Sequence, residues 1–253
     1  MKELLYLKDE QLKDLIEKLF IGYREIFSDS KKILDKYSIG LAHNKVIHLL
    51  SMYEGISISE LLKRLKVTKQ SLNRVLKDLI KLEIIEFKKK LLTKNIFVSI
   101  ICQYNLPKMK ELLYLKDDQL KGLIEKLFIG YRETFSDSKK ILDKYSIGLA
   151  HQKVIHLLSM YEGISISELL KKLKVTKQSL NRVLKDLIKL EIITFTKDEQ
   201  DTRIKHLHLN KKGEEIFNEI FDVQKKRIYN ALLKSSSEEV INFDNVLKKI
   251  ING

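Results

Sequence analysis

Apolar residues recur at spacings of three and four through Leu120, Leu123, Leu127, Tyr131, Phe135 and Ile141/Leu142. This period predicts a long amphipathic helix over Asp117 to Tyr145. A second helix is expected over "GLAHQKVIHLLSMY", closed by Gly163. "SISE", Ser165 to Glu168, has the spacing of a capping box, in which the Ser side chain covers a free amide and the Glu reaches back, so the short helix "ELLKKLK" should start there. Thr176 can cap the next, "KQSLNRVLKDLIKLEII", running to about Ile193. Two short helices a few residues apart make a helix-turn-helix. In "FTKDEQDTRIKHLHLN" a strand leads into a polar tip and an alternating strand leads out, with Ile204, Leu207 and Leu209 among Lys205, His206 and His208. That reads as a β-hairpin, a wing beside the helix pair. Two more helices close the chain, one near Lys211 to Leu233 and one introduced by "SSSEE". With the long first helix they present more apolar stripe than a small winged helix can cover, which predicts a dimer.

The pattern occurs almost twice. Met1 to Phe87 laid over Met109 to Phe195, at a constant offset of 108, differs only at Glu10/Asp118, Asp14/Gly122, Ile26/Thr134, Asn44/Gln152, Arg64/Lys172 and Glu86/Thr194. Exposed lysines match as well as core leucines, unlike a solenoid, whose repeats keep the core and let the surface drift. The division expected is a truncated copy over 1–87 lacking wing and closing helices, a junction over 88–108, and a complete domain over 109–253. The junction holds the sole proline, Pro107, and the sole cysteine, Cys102, which reads as an apolar filler rather than a reactive thiol. A short strand near Ile96 to Cys102 is the one element expected there. The fold class is mainly α: a winged helix-turn-helix with long dimerisation helices, partially duplicated in tandem. A single proline and nine glycines in 253 residues fit that class.

At 100° per residue, Leu180, Val183, Leu184 and Leu187 share one side of the last helix of the pair, and Gln178, Asn181, Arg182, Lys185 and Lys189 the other. Gln and Asn side chains can pair bidentately with adenine, and Arg with guanine, in a major groove that admits a helix. Charge supports that use. Residues 163–212 hold twelve Lys/Arg against six Asp/Glu, while 109–162 hold nine against eight and 213–253 six against seven. Of the chain's formal +14, the second copy's excess therefore sits on its helix-turn-helix and strands, the footprint of a polyanion-binding surface. The candidate DNA contacts are Thr176, Lys177, Gln178, Ser179, Asn181, Arg182, Lys185, Lys189, Arg203 and Lys205, with Arg203 placed to reach an adjacent minor groove. Weaker contacts are expected in the first copy from Thr68, Lys69, Gln70, Asn73, Arg74 and Lys77.

Other chemistry is faint. His43/His48 and His151/His156 are five apart and share no helix face well, and His206 and His208 suit phosphate contact or plain exposure better than a metal, so no metal or cofactor is expected. No nucleophile–base pair, phosphate loop or paired-carboxylate signature argues for an enzyme. No apolar run reaches the roughly 18 residues of a membrane span, and a cytoplasmic, nucleoid-associated protein is expected.

"SISELLKKLKVTKQSLNRVLKDLIKLEII" followed by "DEQDTRIKHLHLNKKGEEIF" resembles the winged helix-turn-helix of the MarR family of bacterial transcriptional regulators. Asn181-Arg182 stands at that family's recognition-helix pair, Asp198, Asp201 and Arg203 at its D-x-x-D-x-R wing, and Leu209, Asn210 and Gly213 at its Leu-Thr-x-x-Gly-like segment, with Asn210 in place of the usual Thr. The resemblance implies a sequence-specific DNA-binding dimer on a palindromic operator, recognition helix in the major groove and wing in the minor. It also implies a small aromatic effector in some members. A pseudo-dimer in which the two copies pair within one chain is a second reading, and the wing and closing helices expected to be missing from the first copy argue against it. An alternative from another class is an interaction module that heterodimerises with full-length relatives and weakens their DNA binding.

Overall fold

The computed structural model describes residues 8–28, 31–89, 96–100, 116–201 and 203–252. The first repeat contributes α1 (Asp9–Ser28), α2 (Lys31–Lys36), α3 (Leu41–Met52), β1 (Ile56–Ser57), α4 (Ile58–Leu65), α5 (Lys69–Lys81), β2 (Ile85–Lys89) and β3 (Ile96–Ile100). The second contributes α6 (Asp117–Ser136), α7 (Lys139–Lys144), α8 (Leu149–Met160), β4 (Ile164–Ser165), α9 (Ile166–Leu173), α10 (Lys177–Lys189), β5 (Ile193–Lys197) and β6 (Lys205–Leu209), followed by the closing helices α11 (Lys211–Leu232) and α12 (Ser237–Asn252).

Local chemistry accounts for most boundaries. Ser165 Oγ accepts from the Glu168 amide at 3.2 Å and the Glu168 carboxylate accepts from the Ser165 amide at 2.9 Å, completing the capping box at α9. Thr176 Oγ1 accepts from the Ser179 amide at 3.2 Å and starts α10. Asn210 accepts from the Gly213 amide at 2.9 Å, so Asn in place of Thr keeps the α11 cap intact. Gly213 is required by close approach: a Cβ there would lie 2.2 Å from the Ile192 carbonyl oxygen.

Three expectations are corrected. The long helix over Asp117 to Tyr145 is two helices, because the buried Ser138 hydroxyl bonds the Phe135 carbonyl and Gln152 and turns the chain between α6 and α7. The helix from Lys177 stops at Lys189 rather than Ile193. Glu191 takes a left-handed φ of 54° and the Ile192 amide donates back to the Leu187 carbonyl at 2.9 Å, a Schellman ending that frees Ile193 to begin β5. The first repeat does not lack its hairpin. β2 and β3 pair antiparallel from Ile85↔Ile100 to Lys89↔Ile96, and the sheet order β1-β3-β2 repeats the β4-β6-β5 order of the second copy. The strand near Ile96 was legible as a β-branched run. Its role as a wing strand was not, because identity between the copies ends at Phe87 while strand pairing needs only β propensity and register. Cys102 and Pro107 lie outside the described residues.

The chain divides into two compact units that cut across the repeat. Described residues up to Glu25 belong with those from Ile129 onward, and Ile26 to Phe128 form the other unit. In the first of these, α1 buries Leu12, Leu15, Ile16, Leu19, Phe20 and Tyr23. Gly22 on α1 lies where a Cβ would sit 3.6 Å from Leu247 and Ile250 of α12, Lys18 pairs with Asp244 at 2.6 Å, and Lys13 Nζ stands over the Phe217 ring of α11 at 5.2 Å. Each buried Leu or Ile on that stripe contributes roughly 1.5–3 kcal/mol. The other unit packs α3, α4 and α5 around Leu49, Leu61, Leu72, Leu76 and Leu79, with the start of α6, where Glu125 is buried, completing it.

Candidate nucleic-acid interface

The site is built on α9, the turn after it and α10. Leu169, Leu173, Leu180, Leu184 and Leu187 are buried and hold the two helices, and Lys174, at φ 48°, ends α9 in the left-handed region. The opposite face of α10 carries Lys177, Gln178, Ser179, Asn181, Arg182, Lys185 and Lys189, all exposed. Among the described residues none of Gln178, Asn181, Arg182, Lys185 and Lys189 is tied by a hydrogen bond or ion pair to the protein. Thr176 is placed differently from the rest: its hydroxyl serves the cap and donates to Ser179 Oγ at 2.9 Å. Val183, expected on the packing side, is half-buried rather than buried.

The same geometry recurs in the other unit. Thr68 caps α5 through the Ser71 amide at 3.2 Å, Leu72, Val75, Leu76 and Leu79 face inward, and Lys69, Gln70, Asn73, Arg74 and Lys77 are exposed. The same apolar spacing thus sorts both helices into a packed side and a side of long donors.

The wing of the second copy is held by a clip that the sequence pattern does not reveal. Asp198 accepts from the Gln200 and Asp201 amides at 2.9 and 3.0 Å, closing the tip. His206 Nε2 lies 2.9 Å from Asp198 and its Nδ1 2.8 Å from the Gly163 carbonyl, so the ring faces an acceptor on each side. Only the imidazolium can donate to both. The Asp198 carboxylate first, then the Gly163 carbonyl, raises the His206 pKa, and the His206 contact first, then the two amides, lowers that of Asp198 to about 2. His206 is thus engaged at both ring nitrogens, and His208 meets the Thr196 hydroxyl at 3.0 Å. The only sequence signal for the clip is an acid and a His eight apart across a hairpin. Arg203 is 89% exposed, its guanidinium engaging both oxygens of Asp201 at 2.9 Å, and Lys205 lies over the Phe195 ring at 4.2 Å. Phe195 itself is an exposed aromatic on the wing, outside the set of contacts expected from sequence.

The clip carries a pH dependence. A His whose folded pKa is raised stabilises below its unfolded value near 6.5, and that contribution is lost as pH rises through the folded pKa. Asp198 contributes above 3.8 and loses its share as pH falls through about 2. Amide exchange over Thr196 to Leu207, corrected for its intrinsic pH dependence, should therefore be slowest near pH 5–6 and faster at pH 8. His206→Gln should remove the difference, and a wild-type wing with equal protection at both values would contradict the clip.

A model of the MarR family matches residues 41–89 and 149–204. Over 146 residues the chain is 36% identical to the HTH-type transcriptional regulator PetP of Rhodobacter capsulatus, covering 58% of this chain and 88% of that protein. Among solved structures, Streptococcus pneumoniae FabT in complex with DNA is 21% identical with a TM-score of 0.45, covering 53% of this chain and 95% of that one. A MarR transcriptional regulator from Methanosarcina mazei is 18% identical with a TM-score of 0.46, covering 52% and 95%. No described helix is long and apolar enough to cross a membrane. With the helix-turn-helix, the wing and the similarity to PetP along most of that regulator, the chain belongs to the MarR family of winged helix-turn-helix transcriptional regulators.

Proposed function

We propose that this protein regulates transcription by binding an inverted-repeat operator, with α10 and α5 as the reading helices in the major groove and the wing at Arg203 in the flanking minor groove. The observation that carries the reading is the outward face of α10, where Gln178, Asn181 and Arg182 stand exposed beside Lys177, Lys185 and Lys189. Amide and guanidinium groups can specify bases, while the lysines and Arg203 position the helix against phosphates. Thr176 and Ser179 contribute through the α10 start, where their cap leaves the Lys177 and Gln178 amides to donate to an approaching phosphate. A pocket of about 320 Å³ whose lining includes Lys13, Glu162, His208, Glu214, Phe217 and Asn218 is the candidate effector site, and its aromatic wall is what would receive a small aromatic ligand.

Selection from random duplexes should recover a two-fold symmetric sequence with half-sites about one helical turn apart. If each half neutralises about four phosphates, log K should fall against log salt with a slope near −7. Failure to enrich any duplex, or a slope shallower than about −2, would overturn the proposal.

A further inference from the structure

The two units repeat each other's contacts with the roles of the repeats exchanged. In the unit holding the second winged helix, Glu17 of the first repeat accepts from the Tyr161 hydroxyl at 3.0 Å and pairs with Lys172 at 3.3 Å. In the other unit Glu125, the counterpart of Glu17, accepts from Tyr53 at 2.7 Å and pairs with Arg64 at 3.0 Å, and these are the counterparts of Tyr161 and Lys172. Lys153 stands over Phe20 at 5.9 Å, and Lys45 over Phe128 at 5.3 Å, again a pair and its counterpart. His156 meets the Lys13 carbonyl at 3.2 Å, the one contact whose counterpart is not formed, since the buried Nε2 of His48 makes no hydrogen bond. Tyr23 stacks on its own counterpart, Tyr131, with ring centroids 4.0 Å apart and planes 8° from parallel.

Pairs i–j matched by j–i, and a residue that meets its own counterpart, are what an isologous dimer interface contains. Here both members of every pair belong to one chain. Glu17 and Glu125 are only 4% and 6% exposed, and a carboxylate is buried at such positions only when a specific partner is supplied. In each case the partner comes from the other repeat. Two independent tandem domains would give neither the burial nor the reciprocity.

We infer that the chain is its own dimer: each repeat lends its long first helix to the winged helix of the other, so one chain supplies both reading helices to one operator without a second copy. This rests on the DNA-binding reading for its last clause alone. The exchange is one-sided at the closing helices, which are present once among the described residues. Leu15 on α1, the helix that meets α12 through Lys18 and Gly22, is 7% exposed, and its counterpart Leu123 on α6 is 48% exposed.

The test uses the full chain with Cys102→Ser, Tyr23→Cys and Tyr131→Cys, treated with a short bismaleimide at micromolar concentration. Linked peptides joining positions 23 and 131 within a product of one chain's mass are expected. The unsubstituted chain should scatter light as a single chain of 29.7 kDa and bind the selected duplex one to one. A two-chain product or particle would place a second copy on α6 and overturn the inference, as would absence of the 23–131 link. A one-chain linked product that binds no duplex would leave the self-pairing standing and sink the DNA reading instead.

Discussion

Phe20→Ala should destabilise the protein by about 3–5 kcal/mol, the range for truncating a buried phenylalanine. Phe20 is 2% exposed and meets Phe135 edge-on at 5.9 Å and His156 edge-on at 5.8 Å, while Lys153 covers its face. Removing the ring leaves a cavity that α1 and α6 cannot close without disturbing the stacked Tyr23 and Tyr131 beside it. His156 is held neutral here, its pKa pushed by burial down to about 4, and it loses the aromatic edge that shields it. Because Phe20 belongs to the first repeat and its neighbours to the second, the loss should appear in unfolding of the second winged helix. Urea denaturation of wild type and variant measures it, and a change below about 1 kcal/mol would mean that α1 does not seat where the fold places it.

Arg182→Ala should cost roughly 1–3 kcal/mol of specific DNA binding and relax preference at the base it reads, and Arg74→Ala should cost a similar amount. Both arginines are exposed on helices of identical sequence, capped alike by Thr176 and Thr68. Each helix is also backed by a three-stranded sheet of the same order, so neither lacks the support that positions base contacts. Had the first copy been truncated before its hairpin, Arg74 would have contributed only nonspecific attraction. Fluorescence anisotropy on one selected duplex at fixed salt compares the two. A loss at Arg182 with none at Arg74 would show that only the second copy reads.

The start of α10 and its division into a packed and a donor-rich side were legible, while its end, four residues short of Ile193, was not. Leucines at helical spacing, a Thr cap and a donor-rich opposite side are local properties, and α10 carries them as the periodicity required. The capping box at Ser165 was legible for the same reason, whereas Asn210, which the family resemblance marked as a weakened cap, makes its bond to the Gly213 amide. What escaped was decided by distant partners. The break at Ser138 depends on Gln152, across the turn into the next helix, and apolar spacing alone ran through it. The Asp198–His206–Gly163 clip joins three points that only strand pairing brings together. The third strand, β4, is two residues long, too short for alternation to register. Most of all, the exchange of first helices could not be read, because α1 and α6 share their core-facing residues and either would satisfy either winged helix. Identity between the copies revealed the repeat and concealed which helix covers which.

If one chain presents both α10 and α5 to one operator, dimethyl sulfate protection should report it, because guanine N7 lies in the major groove where a reading helix would cover it. With the full chain bound one to one on the selected duplex, two protected windows about one helical turn apart are expected, the first lost in Arg182→Ala and the second in Arg74→Ala. A single window at that stoichiometry, lost in Arg182→Ala and unaffected by Arg74→Ala, would contradict the self-paired reader.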